Sequence, residues 1–140
     1  MNKLDTMIQQ ARKAMNHAYA PYSKFHVGVC LQTDNGHYYS GCNVENASYG
    51  LTMCAEASAI SNMVTNGDRT ITEIVVMAKS DVMVTPCGAC RQRLSEFTHP
   101  QALVHICSPE GLQKTMTMAE LFPQSFGPEQ LNVNIEGDVK

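Results

Sequence analysis

Hydrophobic and polar positions alternate along this chain with two different periods. Near the N-terminus, apolar side chains recur every three or four residues, which predicts an amphipathic helix over residues ~3–19. The apolar positions of that helix are Leu4, Met7, Ile8, Ala11, Met15 and Ala18. Residues 25–32 and 37–42 have the pattern of two strands, and the turn-forming Asp-Asn-Gly at 34–36 predicts that they form a hairpin.

The rest of the chain alternates between predicted helices and strands. The apolar run at 53–64 predicts a buried helix, ended by the Asn-Gly pair at 66–67. Residues 71–78 are the kind of apolar strand found at the centre of a sheet that is covered on both faces. A helix over ~88–97, a strand over 102–107 and a short helix over 118–121 complete the series. This order predicts a three-layer α/β fold whose sheet has a mixed edge.

Composition and charge narrow the class of protein. A chain of 140 residues with 44% hydrophobic residues is expected to form a single domain, spanning residues 1–140. The net charge of −3, without any run of Lys or Arg, argues against a polynucleotide partner. No apolar stretch of ~18 residues predicts a membrane span, and the N-terminus does not have the pattern of a signal peptide. Six cysteines in such a chain favour a reducing, cytoplasmic location and metal binding over disulfides.

Two short cysteine motifs carry the strongest chemical signal. They are Cys54-Ala55-Glu56, before one predicted helix, and Pro86-Cys87-Gly88-Ala89-Cys90, at the start of another. Three thiolates would hold zinc with one ligand fewer than a closed structural site, which leaves a position of the kind that a catalytic water occupies. Backbone N–H groups at helix N-termini would stabilise the thiolates, and Glu56 could move protons at the open position.

Each of these residues also has a simpler interpretation. The cysteines could be buried free thiols, and Glu56 could only complement the helix dipole. A closed zinc site would need a fourth ligand, and the candidates would be His99, His105 and Cys107, none of which has a tight ligand spacing. Cys30, Cys42 and Cys107 lie in or beside predicted strands and are interpreted as small core residues.

The two cysteine motifs, together with Asn43-Val44-Glu45-Asn46-Ala47, resemble those of the small homotetrameric cytidine deaminases that use three Cys ligands. The resemblance extends nearly end to end, from Ala20-Pro21-Tyr22-Ser23-Lys24-Phe25 to Leu121-Phe122-Pro123-Gln124-Ser125-Phe126. It implies a three-layer α/β/α sandwich with a mixed, mostly parallel five-stranded sheet. It also implies one Zn²⁺ per subunit, bound by Cys54, Cys87 and Cys90, and hydrolytic deamination of cytidine and 2′-deoxycytidine in pyrimidine salvage.

The resemblance also implies a role for individual residues. Glu56 would be the catalytic proton carrier, serving the water, ring nitrogen 3 and the leaving amino group. Asn43 and Glu45 match a pair that holds the ribose 3′-hydroxyl, although the residues alone would suggest a solvated strand end. The other positions implied to contact substrate are Phe25 at the base, Ala55 through its backbone, Ala47 and Tyr49 near the 5′-hydroxyl, and Phe126 from a neighbouring subunit.

The sequence departs from this family at position 57. The family usually has Arg after the catalytic Glu, where it hydrogen-bonds to the ligand thiolates, and this chain has Ala57. Zinc with three thiolates carries a formal charge of −1, which should make it a weaker Lewis acid. We therefore expect another donor to compensate in part, with Arg91 as the first candidate and Arg93 also near in sequence.

Three other functions remain open at this stage. One is deamination of a modified cytosine nucleoside of the blasticidin type, which the Asn43/Glu45 pair disfavours because it suits a plain ribose. Another is a zinc-stabilised protein without activity, against which the intact Glu56 argues. The last is a polynucleotide editor, which the absence of a basic face and a Cys as first ligand both argue against.

Overall fold

The computed structural model of the chain describes residues 1–133 and 135. Within this part, no helix combines the length and the apolar character that crossing a membrane requires. The elements are α1 (Lys3–Asn16), β1 (Val27–Thr33), β2 (Tyr38–Cys42), α2 (Ala55–Thr65), β3 (Ile71–Ala78), α3 (Gly88–Glu96), β4 (Thr98–Ser108), β5 (Gly111–Thr117) and α4 (Met118–Leu121). Short 3₁₀ turns lie at Tyr49–Leu51 and Pro128–Leu131.

The strands form one five-stranded sheet in the order β2-β1-β3-β4-β5. Helix α1 packs on one face, and α2, α3 and α4 pack on the other, which confirms the predicted three-layer α/β/α sandwich with a mixed sheet. The expectation of a mostly parallel sheet is wrong, because only β3 and β4 are parallel. Both β2 and β3 pair with β1 in the antiparallel sense, and β5 returns along β4 after a turn too short for a parallel crossover.

Period-two alternation along the strands divides the core into two halves. Val29 and Leu31 pack under α2, whereas Cys30 between them faces α1. In β4, Val104 and Ile106 face the α2 side and Cys107 faces α1. Cys30 and Cys107 are therefore small core residues as predicted, whereas Cys42 is only half buried on the edge strand β2.

Two glycines let helices approach the sheet closely. A Cβ atom on Gly41 would lie 2.4 Å from the backbone nitrogen of Ala59 in α2. A Cβ atom on Gly28 would lie 2.0 Å from the carbonyl oxygen of Ala11 in α1. Any larger residue would push the helix outward, so Gly41 contributes to fixing the position of α2 and of the residues at its N-terminus.

Helix α1 ends earlier and α2 begins later than predicted, because long-range pairing competes for the flanking residues. The backbone N–H of Tyr19 donates to Asn43, and the N–H of Glu45 donates back to Tyr19, at 3.0 and 2.9 Å. Val44 and Met53 exchange two backbone hydrogen bonds of 2.9 Å. These isolated bridges place residues 43–45 beside the chain that enters α2.

The C-terminal end of α2 is tied to the β1–β2 hairpin by a buried carboxylate. The helix stops at Thr65, and Gly67, with φ of +96°, turns the chain into Asp68. The Asp68 carboxylate accepts hydrogen bonds from four side chains of the hairpin at 2.7–3.0 Å. The donors are Thr33, Asn35, His37 and Tyr39. Because every donor favours the ionised form, the pKa of Asp68 falls from 3.8 to about 2, with the His37 contact as the main cause.

Candidate active site

Three cysteines lie at the starts of two neighbouring helices. Cys54 is the N-cap residue of α2 and Cys87 is the N-cap residue of α3, as the sequence predicts. Cys90 follows in the first turn of α3 and is buried. Backbone N–H groups of Cys90 and Ala89 hydrogen-bond to the Cys87 sulfur and lower its pKa, although burial opposes them. The free helix amides thus favour an anionic sulfur at this edge of the sheet.

The sulfur atoms of Cys54, Cys87 and Cys90 all lie within 4.8 Å of one another. Tetrahedral Zn–S bonds of ~2.3 Å would put them ~3.8 Å apart, so small movements would close the cluster on an ion. Burial raises the pKa of both Cys54 and Cys90. A divalent cation would reverse that preference and hold the sulfurs as thiolates, and a thiolate donor set suits zinc.

No fourth protein ligand completes the cluster within the described part of the chain. His105, one of the candidates, is bound to Glu73 at 2.7 Å and to Thr115 at 2.9 Å in the sheet. Cys107 lies in the core under α1, and His99 is exposed at the start of β4. The geometry therefore fits an open three-cysteine site better than a closed structural one.

Glu56 lies in the first turn of α2, directly after Ala55. Its side chain is buried, with 4% of the residue exposed. Burial raises the pKa of Glu56, while its own backbone N–H, a contact with Cys90 and the positive charge of Arg93 oppose the rise. A buried carboxyl group beside an open metal position is placed to exchange protons with a bound water.

Asn43 and Glu45 lie close to this centre, because the bridge between Val44 and Met53 brings their segment beside Cys54. The Asn43 side chain accepts a hydrogen bond from the Val27 N–H and donates one to the Phe25 carbonyl. The Glu45 carboxylate accepts from the backbone N–H groups of Tyr22 and Ser23 and from the Ser23 hydroxyl. Those hydrogen bonds lower the pKa of Glu45, so this carboxylate is an acceptor fixed in position.

Glu45 also lines a cavity of about 410 Å³, together with Tyr22, Ser23, Asn46, Tyr49 and Thr52. The rings of Tyr22 and Tyr49 meet edge to face, with centroids 6.0 Å apart. Tyr49 is 75% exposed and Ala47 is exposed beside it. Position 49 therefore forms an aromatic wall on the outer side of the site.

The two phenylalanines implied by the resemblance are both substantially exposed. Phe25 is 38% exposed, and its carbonyl is held by Asn43. Phe126 is 55% exposed, and its carbonyl accepts a hydrogen bond from Gln92 of α3. Gln92 thus ties the segment around Phe126 to the helix that carries Cys90. In contrast, Ala55 is buried, with 1% exposed, so only its backbone can face a ligand.

The expectation that Arg91 compensates for Ala57 is wrong. The Arg91 guanidinium donates to the carbonyls of Pro86 and Leu121 and to the Thr85 hydroxyl, at 2.7–2.9 Å. It therefore holds the loop that leads into Cys87. Arg93 instead donates from Nη1 to the Cys90 sulfur at 3.7 Å. Helical spacing could have identified it, since residues three apart share a face and adjacent residues do not.

Comparison with known proteins is consistent from sequence to fold. The sequence model for the cytidine and deoxycytidylate deaminase zinc-binding region matches residues 1–106. A cytidine deaminase of Sporosarcina psychrophila is 38% identical over 133 residues, which is 95% of this chain and 98% of that protein. One from Halalkalibacterium halodurans is 40% identical over 126 residues, covering 90% of this chain and 96% of that protein.

Solved structures give the same result. The crystal structure of cytidine deaminase from Burkholderia pseudomallei aligns with a TM-score of 0.83 at 38% identity. The alignment covers 90% of this chain and all of that one. The cytidine deaminase from Mycobacterium tuberculosis aligns with a TM-score of 0.77 at 32% identity, covering 91% of this chain and 99% of that one.

Proposed function

This chain belongs to the cytidine and deoxycytidylate deaminase family, and we propose that it is the enzyme that deaminates cytidine and 2′-deoxycytidine with zinc. The products are uridine or 2′-deoxyuridine and ammonia, and the reaction consumes one water. The observation that carries this function is the convergence of three sulfurs within 4.8 Å at two helix N-termini, beside the buried Glu56. The reaction belongs to the salvage of pyrimidine nucleosides.

Cys54, Cys87 and Cys90 would hold the zinc ion. When bound there, zinc supplies a Lewis acid that makes water a usable nucleophile near neutral pH. Glu56 accepts the proton of the attacking water and passes protons to ring nitrogen 3 and to the amino group at carbon 4. Ammonia leaves only after protonation, so one carboxyl group has to act first as base and then as acid. The buried position of Glu56 in the first turn of α2, beside the three sulfurs, supports both roles.

The substrate is oriented by groups around the metal centre. We assign the base to Phe25 and to the backbone at Ala55 and Cys87, and the ribose 3′-hydroxyl to Asn43 and Glu45. Ala47 and Tyr49 lie near the 5′-hydroxyl. Asn43 and Glu45 are held in place by backbone hydrogen bonds, and their oxygens can accept a further bond from a sugar hydroxyl, which supports a plain ribose over a modified aminosugar.

We also propose that the active protein is a homotetramer whose sites are shared between subunits. Aromatic side chains around the site, Tyr22, Tyr49 and Phe126, are 48–75% exposed in the single chain. Exposed apolar groups clustered beside a binding site are typical of surfaces that a partner covers. In this assembly Phe126 closes a neighbouring subunit's pocket. Size-exclusion chromatography tests the proposal, and a fully active monomer would contradict it.

The whole chain, residues 1–140, is proposed to act as a single domain in the cytoplasm. All six cysteines are free thiols, which suits a reducing compartment.

The decisive experiment is the loss of cytidine absorbance on addition of the purified protein, followed also for 2′-deoxycytidine and a blasticidin-type nucleoside. We expect turnover of both simple nucleosides and a loss of activity in Cys90→Ala, which lacks one zinc ligand. Arg12→Met, on the opposite face of the sheet, is the matched control and should turn over normally. If zinc-loaded protein leaves cytidine and 2′-deoxycytidine unchanged, the proposed function is wrong, and turnover of the blasticidin-type nucleoside alone would support that alternative.

A further inference from the structure

The metal centre described above has an excess of negative charge. A divalent ion bound by three thiolates carries a formal charge of −1, and the buried carboxyl group of Glu56 lies beside it. Helix amides at Cys54 and Cys87 offset part of this charge. A neighbouring cation would offset more of it, and would also fix the direction of a ligand sulfur.

Arg93 is positioned to supply that cation. It follows Cys90 by three residues on α3, so the two side chains share a face of the helix. Its Nη1 atom donates to the Cys90 sulfur at 3.7 Å. No carboxylate lies within ion-pair distance of Arg93 in the part of the chain described here, although its positive charge also acts on Glu56.

Position 57 lies across from Arg93 on the neighbouring helix. Ala57 follows Glu56 directly in α2, and its side chain is buried. Ala57 and Arg93 line the same cavity of about 420 Å³, with Met53, Ile60, Gln92 and Phe97 among its other walls. The small side chain at 57 therefore leaves the space into which a long side chain from either helix could extend.

We propose that Arg93, on α3, is a positioning residue of the metal centre. It holds the Cys90 thiolate toward the ion and offsets part of the negative charge of that thiolate. It does so across the space that the small side chain of Ala57 leaves. The inference deepens the proposed function and depends on it only for the identity of the ion. Because Ala57 and Arg93 line the same cavity, an arginine at position 57 should be able to replace Arg93 beside the thiolate. Arg93 does not contact the reacting atoms.

Zinc release tests this role without any substrate. The zinc-loaded protein is mixed with an excess of a colorimetric chelator, and the release rate is compared among the wild type, Arg93→Met and Arg93→Gln. Loss of a hydrogen-bonded neighbour of a metal ligand typically costs 10–100-fold in metal affinity. Because Arg93 is exposed in the single chain, we expect the low end, with release about tenfold faster in both variants.

The matched control is Arg12→Met, whose guanidinium donates to the carbonyl of Pro109, away from the metal centre. It removes the same charge and should release zinc at the wild-type rate. The rescue variant is Ala57→Arg combined with Arg93→Met, which should return to within about threefold of the wild type. Rescue distinguishes a role at the thiolate from a structural role of Arg93, which an arginine on another helix could not restore.

Turnover supplies a second measurement. We expect Arg93→Met to lower kcat for cytidine with little change in KM, because Arg93 touches the metal ligand and not the substrate. Wild-type zinc release in both Arg93 variants would overturn the inference, and so would fast release that Ala57→Arg fails to correct. A wild-type protein without deaminase activity would contradict the proposed function alone, since the zinc measurements would still stand.

Discussion

The two ends of helix α2 carry two acidic groups in opposite circumstances. Glu56 in the first turn and Asp68 just beyond the last are both buried, and about 16 Å of helix separates the two ends. Burial raises the pKa of Glu56, whereas four donors, His37 foremost, lower that of Asp68 to about 2. At Asp68 the hydrogen-bond donors outweigh the effect of burial, whereas at Glu56 burial is the dominant cause.

This contrast separates a group that serves folding from the proposed proton carrier. Asp68 is saturated by Thr33, Asn35, His37 and Tyr39, so its ionised form is at its most stable in the folded chain. Glu56 has few partners and burial raises its pKa, so no comparable set of donors stabilises its ionised form. A carboxyl group left without such donors can exchange its proton more readily, at a cost in stability.

The sharpest test of the contrast is Glu56→Gln. The amide keeps the shape of the side chain but cannot accept a proton, so we expect kcat for cytidine to fall about 10³-fold. Folding should not suffer, because a neutral amide is easier to bury than a carboxylate, and Tm should stay equal or rise. Steady-state kinetics, zinc analysis and thermal melting check the three parts. A loss below tenfold with zinc retained would show that Glu56 is not the proton carrier.

Removal of zinc should affect one end of α2 and spare the other. A ligand at a hundredfold excess over its Kd stabilises the fold by about 2.7 kcal/mol. We therefore expect chelation to lower Tm by about 10 °C in a chain of this size. Hydrogen exchange should accelerate at the start of α2 but not at the hairpin amides of Gly36 and His37. Cys90→Ala is the control and should respond little to the chelator; an equal response at both ends would contradict the contrast.

Asp68→Asn probes the saturated end through its dependence on pH. The folded pKa of Asp68 lies below its ordinary value, so its contribution to stability is complete above about pH 4–5 and is lost as pH falls through 3.8 towards 2. The variant should melt a few degrees lower at pH 6, and the difference should shrink below pH 4. Melting curves at several pH values test this, with deaminase activity at pH 7 as the control. A constant gap would mean that the charge of Asp68 contributes nothing.

The smallest expected effect comes from Tyr39→Phe, which removes one of the four donors to Asp68. Three donors remain at 2.7–3.0 Å, so the carboxylate stays ionised and buried. We expect less than half of the Tm shift of Asp68→Asn, with the same sign of pH dependence. A Tm shift as large as that of Asp68→Asn would show that the four donors stabilise the carboxylate only when all of them are present.

Most of the site was predictable because its signals are local. The spacing of the cysteines and the helix that follows each motif place Cys54 and Cys87 as N-caps. The position of Glu56, two residues after Cys54, puts it in the same helical turn. These inferences need only the chain's local geometry, and the described structure confirms the geometry, whereas the catalytic role of each residue stays a prediction.

The features that were missed depend on partners distant in the chain or on the direction of a side chain. The hydrophobic pattern does not predict strand β5, because four of its seven residues are exposed and its sequence lacks the alternation of a strand. Its position at the edge of the sheet comes from pairing with β4. The direction of β1 is likewise set by its neighbours in the sheet. Distance along the chain favours Arg91 as the donor to a ligand sulfur, whereas periodicity along α3 favours Arg93, which makes the contact.

The spacing of the three sulfurs also bears on how the protein withstands oxidation. Cys87 is exposed, and its sulfur lies within 4.8 Å of two other thiols. Zinc binding would lower the reactivity of the three thiolates toward an oxidant, whereas without zinc a pair of these close sulfurs could form a disulfide. Such a bond would link the starts of two helices and shut out the metal. The ion would thus also shield its own ligands, and after its loss in air zinc could rebind only once a reductant had opened the disulfide.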